Sequence, residues 1–468
     1  MHRIAVIGGG ISGLAAAFHA REIAAERGLP VSITIFERSA RVGGCIETLH
    51  VDDFTLEMGA DSLATEKVAA TQLASRLGLE LQPVREDFRG TCILREGRLV
   101  RMPDEFRLFT PTSLRSLVTS RLFTPRGMLR AALEPLIPAR KQTADESLAS
   151  FVTRRFGREV LERLAQPLLG GIYSGDPGRL SVRSTMPQLH DVERKYGSLV
   201  RGMRELTKNA PSGPRLVSIR GGLGALVTAL ERELQGNVRT NVGVTRLTRS
   251  AGEWTLSLSD GSQVAADGVI CALPAYAAAE ILQPVDAELA RSLAGITYHS
   301  IATVTAAYAW RDVPPLPSCT GFVVPAIERR PIMATTFSNR KYADRTPYGS
   351  MVLRAFVGGS SGQALVARDD DSLTRLVESE FRDLLGIVTK PRFVAIRRWL
   401  NALPEYAVGH RARTDDIDRR ARALGGFALA GSAYRGVGIA DCVRGGEAAA
   451  CELYGMLGPS YQKELTHS

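Results

Sequence analysis

An α/β fold is predicted for this 468-residue chain from three observations. A short apolar run, Ile4-Ala5-Val6-Ile7, leads into Gly8-Gly9-Gly10-Ile11-Ser12-Gly13 and then the helix-favouring Leu14-Ala15-Ala16-Ala17-Phe18. A second apolar run, Val31-Ser32-Ile33-Thr34-Ile35-Phe36, ends in the acid Glu37. Close to the other end, Phe427-Ala428-Leu429-Ala430-Gly431 passes through a glycine-rich turn into another helix. These predict a Rossmann-like domain assembled discontinuously from residues 1–60, 215–275 and 395–468. An α+β domain (61–99 and 276–394) would hold a substrate, and residues 100–214 would form a mostly helical lobe.

Each part of the first motif has a physical reason. An uninterrupted apolar strand suits a parallel sheet covered on both faces. Gly8 permits the tight turn, Gly10 lets a pyrophosphate approach the backbone, and Gly13 lets the helix pack against the strand. The free N–H groups at the helix start, around Ile11 and Ser12, can bind phosphate. Glu37, at the end of the second strand, can accept hydrogen bonds from a ribose diol. A lone GxGxxG is weak evidence, but here strand, turn, helix, second strand and acid occur in order.

Further segments fit the same core. Asp267-Gly268-Val269-Ile270-Cys271 reads as another buried strand, followed by Ala272-Leu273-Pro274. Ile219-Arg220-Gly221-Gly222-Leu223-Gly224 is a glycine turn before a helix. A second strand-to-helix glycine turn, Gly431 to Ile439, is hard to obtain by chance once the first is present.

Glu37-Arg38-Ser39-Ala40-Arg41-Val42-Gly43-Gly44 resembles the extended motif of the flavin amine oxidase superfamily. The resemblance implies FAD, with Arg38 and Arg41 beside the pyrophosphate and Gly43-Gly44 leaving room for the ribityl chain. Leu56-Glu57-Met58-Gly59-Ala60-Asp61-Ser62 is similar to the family segment near the flavin ring, with Ala60 where the family usually has Pro. In Asn241-Val242-Gly243-Val244-Thr245, Val244 matches the residue whose backbone reads adenine. Trp399 matches a tryptophan beside the flavin. The N–H groups of Val437, Gly438 and Ile439 would face the N1–C2 edge of the reduced ring.

Within that superfamily, Leu168-Leu169-Gly170-Gly171-Ile172-Tyr173-Ser174-Gly175-Asp176-Pro177, Tyr196-Gly197-Ser198-Leu199-Val200-Arg201-Gly202-Met203, Leu403-Pro404-Glu405-Tyr406-Ala407-Val408-Gly409-His410 and Tyr434-Arg435-Gly436-Val437-Gly438-Ile439-Ala440-Asp441-Cys442 look like the protoporphyrinogen/coproporphyrinogen oxidases. The likeness implies a six-electron oxidation of a porphyrinogen, with O2 reoxidising FAD to give hydrogen peroxide. It also implies a place in haem biosynthesis, where any partner enzyme is beyond the sequence. Lys67 matches a lysine at the pocket rim and Arg107 a propionate-binding arginine, so both would meet propionates, and Gly171, Ile172 and Phe356 would form an apolar wall over the flavin. Coproporphyrinogen III, with four propionates, suits a basic pocket better than protoporphyrinogen IX, with two. An amine oxidase or carotenoid-type desaturase of the same fold is the alternative, followed by a flavin-free escort protein for prenylated GTPases.

Composition narrows the remaining classes. The 59 basic and 49 acidic residues give +10, a balance that suits an acidic small molecule or an anionic membrane surface. No Lys/Arg block or recognition module points to nucleic acid. Six scattered cysteines without a CxxC pair argue against a zinc site or a disulfide framework. No catalytic triad or metal cluster is expected, since flavin carries the chemistry. The N-terminus runs straight into a strand and no apolar stretch is long enough to span a bilayer, so the expected location is cytoplasmic.

Between Arg107 and Lys141, seven basic residues (Arg107, Arg115, Arg121, Arg126, Arg130, Arg140, Lys141) and one acid, Glu134, alternate with apolar residues, interrupted by Pro111 and Pro125. Two readings stay open: short helices lying transiently on an anionic membrane face, or a lobe that covers the pocket. A helix start is expected at 143–148, a linker at 208–214, and a loose tail from Gly458 to Ser468. Ile301 to Tyr308 alternates as a strand of the substrate sheet.

Overall fold

The computed structural model describes residues 1–457 apart from 89, 108, 112, 114–115, 118–119, 141–143, 174, 209–213 and 361. The expected linker and tail, together with Arg115, Lys141, Thr143 and Ser174, therefore lie at least partly outside the described residues.

The two chain ends build one sheet. Five strands run parallel in the order Val238–Arg239, Val31–Phe36, His2–Ile7, Gly268–Cys271 and Phe427–Leu429. Ile4 sits opposite both Ile33 and Gly268, so the N-terminal strand is central and its side chains are buried on both faces. One face is covered by the helix Ile11–Glu26 and by the C-terminal helix Ile439–Met456. These two touch at Gly446, where a Cβ would lie 2.3 Å from the carbonyl oxygen of Ser12. The other face packs on Trp254, which is fully buried and 5.4 Å from the Phe427 ring.

A second, seven-stranded sheet runs in the order Phe393–Pro404, Tyr298–Ala309, Ser350–Gly358, Ile332–Phe337, Gly321–Val323, Cys92–Arg95 and Arg98–Arg101. The strand Phe393–Pro404 pairs with Tyr298–Ala309 here, so the chain returns to the parallel sheet after residue 404 rather than at 395. The strand expected at 301–308 is present but has no solvated face. Ala302, Val304 and Ala306 pack with Phe381 and Leu385 of the helix Asp370–Leu385. Thr303 and Ala307 face the segment Phe54–Met58 instead. Burial from both sides replaces the polar face that strict alternation would imply.

The lobe is mostly helical, with a two-strand hairpin pairing Phe106–Arg107 with Thr110–Pro111. The expected start at 143–148 is a helix from Leu148, capped by the Ser147 hydroxyl, which accepts from the N–H of Ser150 at 3.2 Å. Glu134, the lone acid of the basic stretch, is fully buried and ion-paired to Arg155. It also accepts from the Ser198 hydroxyl at 2.6 Å and the Leu199 N–H at 2.8 Å, which satisfies its charge without water. Among the described residues no helix is long and apolar enough to cross a membrane.

Candidate functional site

The site begins where the first strand meets its helix. Gly8 has φ of 102°, and a Cβ on Gly13 would meet the Gly8 carbonyl oxygen at 2.0 Å, so both glycines are required by geometry. The helix starts at Ile11 with Gly10 as an N-cap that offers no side-chain acceptor. Ile11 and Ser12 thus carry main-chain donors toward an anion. Glu37 arrives at the same turn: its carboxylate accepts from the N–H of Gly9 and of Ser39, each at 2.8 Å. Residues 239–242 run alongside, with Glu37 N–H donating to the Arg239 carbonyl and Val242 N–H to that of Glu37, both at 2.9 Å. This lays the segment before Val244 beside Arg38, where a Cβ on Gly243 would stand 3.3 Å from the Arg38 Cβ.

The next loop crosses the turn. Gly43 N–H donates to Gly9 at 2.7 Å, and a Cβ on Gly44 would stand 3.2 Å from the Gly10 Cα. Arg41 wraps this loop, donating to the carbonyls of Val42 and Ile46 at 3.1 Å and of Gly44 at 2.6 Å. Its guanidinium lies 5.9 Å from the Trp399 ring centroid, and that of Arg397 lies at 5.1 Å. The Trp399 indole donates to the Met58 carbonyl at 2.8 Å, which fixes the ring against the 57–62 segment.

That segment is held by charge. Gly59 must be glycine, because a Cβ would meet the Cys45 carbonyl oxygen at 2.1 Å. Ala60 stands exposed beside it. Asp61 accepts from Lys341 at 2.7 Å and from Arg354 at 2.6 Å. Burial alone would raise the Asp61 carboxyl, but the Lys341 and Arg354 charges outweigh it and hold the group well below the ordinary carboxylate range. Ser62 shares a 2.7 Å hydrogen bond with the Tyr342 hydroxyl.

The C-terminal turn closes the site. Gly431 and Gly436 both take positive φ, 137° and 144°. The helix starting at Ile439 has Gly438 as N-cap, again without a side-chain acceptor. Tyr406 pins the turn: its buried hydroxyl donates to the Ser432 carbonyl at 2.6 Å and accepts from Gly436 N–H at 2.7 Å. Asp441, in the first turn of that helix, is buried against Gly436 and Gly438. Its carboxylate accepts from Lys67 at 2.5 Å and Arg444 at 2.7 Å. Lys67, expected at a pocket rim, is therefore tied to the C-terminal turn while its side chain remains about half exposed (48%).

Two uncapped helix starts, two sets of glycines that admit no side chain, and an acid at the end of the second strand fit an extended dinucleotide with a ring at its far end. The residues present suit FAD. The expected cationic and apolar candidates are less closely tied to these turns. Phe356 lies on the sheet face shared with Thr303, which hydrogen-bonds Met58, and its ring sits 4.9 Å from the Arg354 guanidinium. Gly171 and Ile172 are exposed on the helix Gln166–Tyr173, which leans on the neighbouring strand through Gly170 and Met333. Arg107 is partly buried in its hairpin. Desolvation depresses its guanidinium pKa, the Arg215 charge adds to this, and Glu66 opposes it.

Sequence reasoning missed Lys341, Arg354, Tyr406 and Asp441 as structural members of the site. Arg354 left a signal: a single arginine inside the otherwise apolar Ser350–Gly358 strand demands a buried partner. Among the described residues no cluster of His, Cys, Asp and Glu is placed to hold a metal.

Comparisons with known proteins agree with this geometry. The model of the flavin-containing amine oxidoreductases matches residues 11–454. Coproporphyrinogen III oxidase of Bacillus subtilis is 35% identical over 456 residues, covering 95% of this chain and 96% of its own. The enzyme of the same name from Staphylococcus aureus is 29% identical, covering 96% and 98%. A solved structure from Exiguobacterium sp. 255-15, named as a protoporphyrinogen oxidase, superposes with a TM-score of 0.87 at 32% identity, covering 97% of this chain and 99% of that one. The chain belongs to the flavin-containing amine oxidoreductase family.

Proposed function

We propose that the chain is an FAD-dependent oxidase that converts coproporphyrinogen III to coproporphyrin III, passing electrons to O2 and releasing hydrogen peroxide. The observation that carries this reading is likeness over nearly the whole length to an enzyme named for that substrate, 35% identical, on a chain whose glycine turns and Glu37 suit FAD. When bound, the isoalloxazine ring supplies the hydride acceptor.

The chain's own residues position and shield. Glu37 would accept from the ribose, and the N–H groups at Gly10 to Gly13 would hold the pyrophosphate, with Arg38 and the remaining donors of Arg41 lending positive charge. The N–H groups of Val437, Gly438 and Ile439 would stabilise negative charge at the ring's pyrimidine edge. Gly171, Ile172, Phe356 and Trp399 would exclude water from the macrocycle. An ammonium has three donors, so Lys67 can keep Asp441 and still bind a propionate, with Arg107 taking another.

The test is porphyrin fluorescence after adding anaerobically prepared porphyrinogens, with kcat/KM compared for the two. A higher value for coproporphyrinogen III is expected. A clear advantage for protoporphyrinogen IX would overturn the substrate, and turnover of amines alone would overturn the reading itself.

Transient membrane contact is a second proposal for the lobe. Leu129, Leu133 and Leu136 are 65%, 44% and 75% exposed beside Arg126. Against it, Arg130 and Arg140 serve the fold: Arg130 donates to the Arg154 carbonyl and Arg140 pairs with Glu146. Sedimentation with anionic vesicles, lost in Leu129→Ser/Leu136→Ser, is the expected result. Equal sedimentation by the variant would remove the contact.

A further inference from the structure

A pair of thiols sits outside the site just described, in the dry edge of the seven-stranded sheet. Cys92 begins the strand Cys92–Arg95, and Cys319 lies just before Gly321–Val323, which runs parallel to it with Cys92 opposite Phe322. Both side chains are fully buried, and their sulfurs are 3.0 Å apart. That is closer than two sulfurs in ordinary van der Waals contact. A bond of about 2.05 Å then needs only a small rotation of side chains already directed at each other.

Nothing nearby offers these sulfurs another use. No third ligand accompanies them among the described residues, so they are not a metal site. Their packed neighbours are Phe322, Phe337 and aliphatic residues, and the Arg101 charge reaches Cys92. The Arg340 guanidinium, partnered through the Pro317 carbonyl at 2.5 Å and resting 4.8 Å from the Phe88 ring, lies close enough to act on both thiols electrostatically. Two reactive groups in contact with a buried cation beside them are an arrangement that simple packing does not require.

We propose that Cys92 and Cys319 are an oxidant-responsive pair that closes to a reversible disulfide when the protein meets hydrogen peroxide. The Cys319 sulfur attacks peroxide, breaking its O–O bond to give a sulfenic acid and one water. The Cys92 sulfur then displaces hydroxide from that sulfenic acid, forming the S–S bond and a second water. Both thiols are oxidised, peroxide is reduced, and their two protons leave in the waters. The order of attack follows from the hydrogen bond: Cys92 donates its proton to Cys319, which favours thiolate at Cys319 and pushes Cys92 up. The closed bond would join segments 227 positions apart and lock the edge between the two strands. The proposed oxidase reaction would generate the peroxide, but added peroxide tests the pair independently of that reaction.

The experiment starts from fully reduced holoprotein, treated with hydrogen peroxide, quenched, alkylated under denaturing conditions and mapped by mass spectrometry. The expected result is a linked peptide carrying Cys92 and Cys319, lighter by two hydrogens, restored by a phosphine reductant. In Cys92→Ala, Cys319 should instead be captured by dimedone. The proposal is overturned if both cysteines stay alkylatable while the exposed Cys45 and Cys451 oxidise. Recovery of either buried cysteine only as a sulfinic acid, or in another pairing, overturns it equally.

Discussion

Arg354 reaches the Asp61 carboxylate at 2.6 Å and with its other terminal nitrogen holds the Glu57 carbonyl at 2.7 Å and the Gly59 carbonyl at 3.0 Å. One buried guanidinium from the seven-stranded sheet thus fixes the shape of the 57–61 segment. The pair ties the strand Ser350–Gly358 to the segment that follows the strand Phe54–Glu57, against which Trp399 is also held.

Loss of Arg354 should therefore be felt in both stability and cofactor retention. Removing one partner of a buried pair costs about 3–5 kcal/mol, because the other charge is left without compensation. Arg354→Ala is expected near the lower end, since Lys341 still faces Asp61 at 2.7 Å. Urea unfolding of the apoprotein and the flavin-to-protein absorbance ratio check the two effects.

Tyr406→Phe keeps the ring but deletes both hydrogen bonds to the C-terminal turn. Leaving the Gly436 N–H without its acceptor should cost about 1–3 kcal/mol. The apoprotein should bind FAD more weakly, read by fluorescence titration. Unaltered affinity would show that the turn holds its shape without the tyrosine.

At the contact of the two covering helices, Gly446→Leu must push the C-terminal helix away from Ser12. Overpacking of this kind costs typically about 1–3 kcal/mol, and here it also displaces the start of the helix Ile11–Glu26. The purified variant is expected colourless, or to lose its flavin on gel filtration.

For Lys67, two duties predict a split outcome. Lys67→Ala should raise KM for coproporphyrinogen III, with kcat reduced less. Asp441 retains Arg444 at 2.7 Å, so bound flavin should remain. A KM equal to that of the parent enzyme would remove Lys67 from substrate binding.

A pH dependence follows from His410, which stacks on Tyr406 with ring centroids 4.1 Å apart. Burial lowers its pKa to about 4, with backbone hydrogen bonding from the Ala433–Tyr434 region opposing. In the unfolded chain it titrates near 6.5. The depressed value means the unfolded state takes up the proton first as pH falls. The stability is therefore complete above about pH 6.5 and declines by about 3 kcal/mol down to pH 4. In His410→Phe, which keeps the stack, urea midpoints across that window should fall less steeply with acid.

The parallel core was legible because Gly8, Gly10, Gly13 and Glu37 do their work within a short stretch of chain, where spacing encodes geometry. The same holds for the helix start expected at 143–148, which the structure narrows to Leu148 with Ser147 as its cap. Lys67 illustrates the limit. Sequence placed it at a rim, but its partner Asp441 is 374 positions away, and no local pattern records an ion pair across that separation. The strand at 301–308 was found by its residue types, while its two-sided burial depended on a helix and a loop that pack from distant segments. Charge hubs such as Asp61 with Lys341 and Arg354 belong to the same class, with each member unremarkable until the fold brings the others in.

The sheet order sets a condition on biosynthesis. The strand His2–Ile7 takes the centre, and one of its neighbours, Gly268–Cys271, is made about 260 residues later, with Phe427–Leu429 later still. A growing polypeptide must keep an apolar N-terminal segment unpaired on one side for most of its translation, exposed to aggregation. Chains released before the strand Phe427–Leu429 and the helix Ile439–Met456 are made should therefore be insoluble or rapidly degraded instead of partly active.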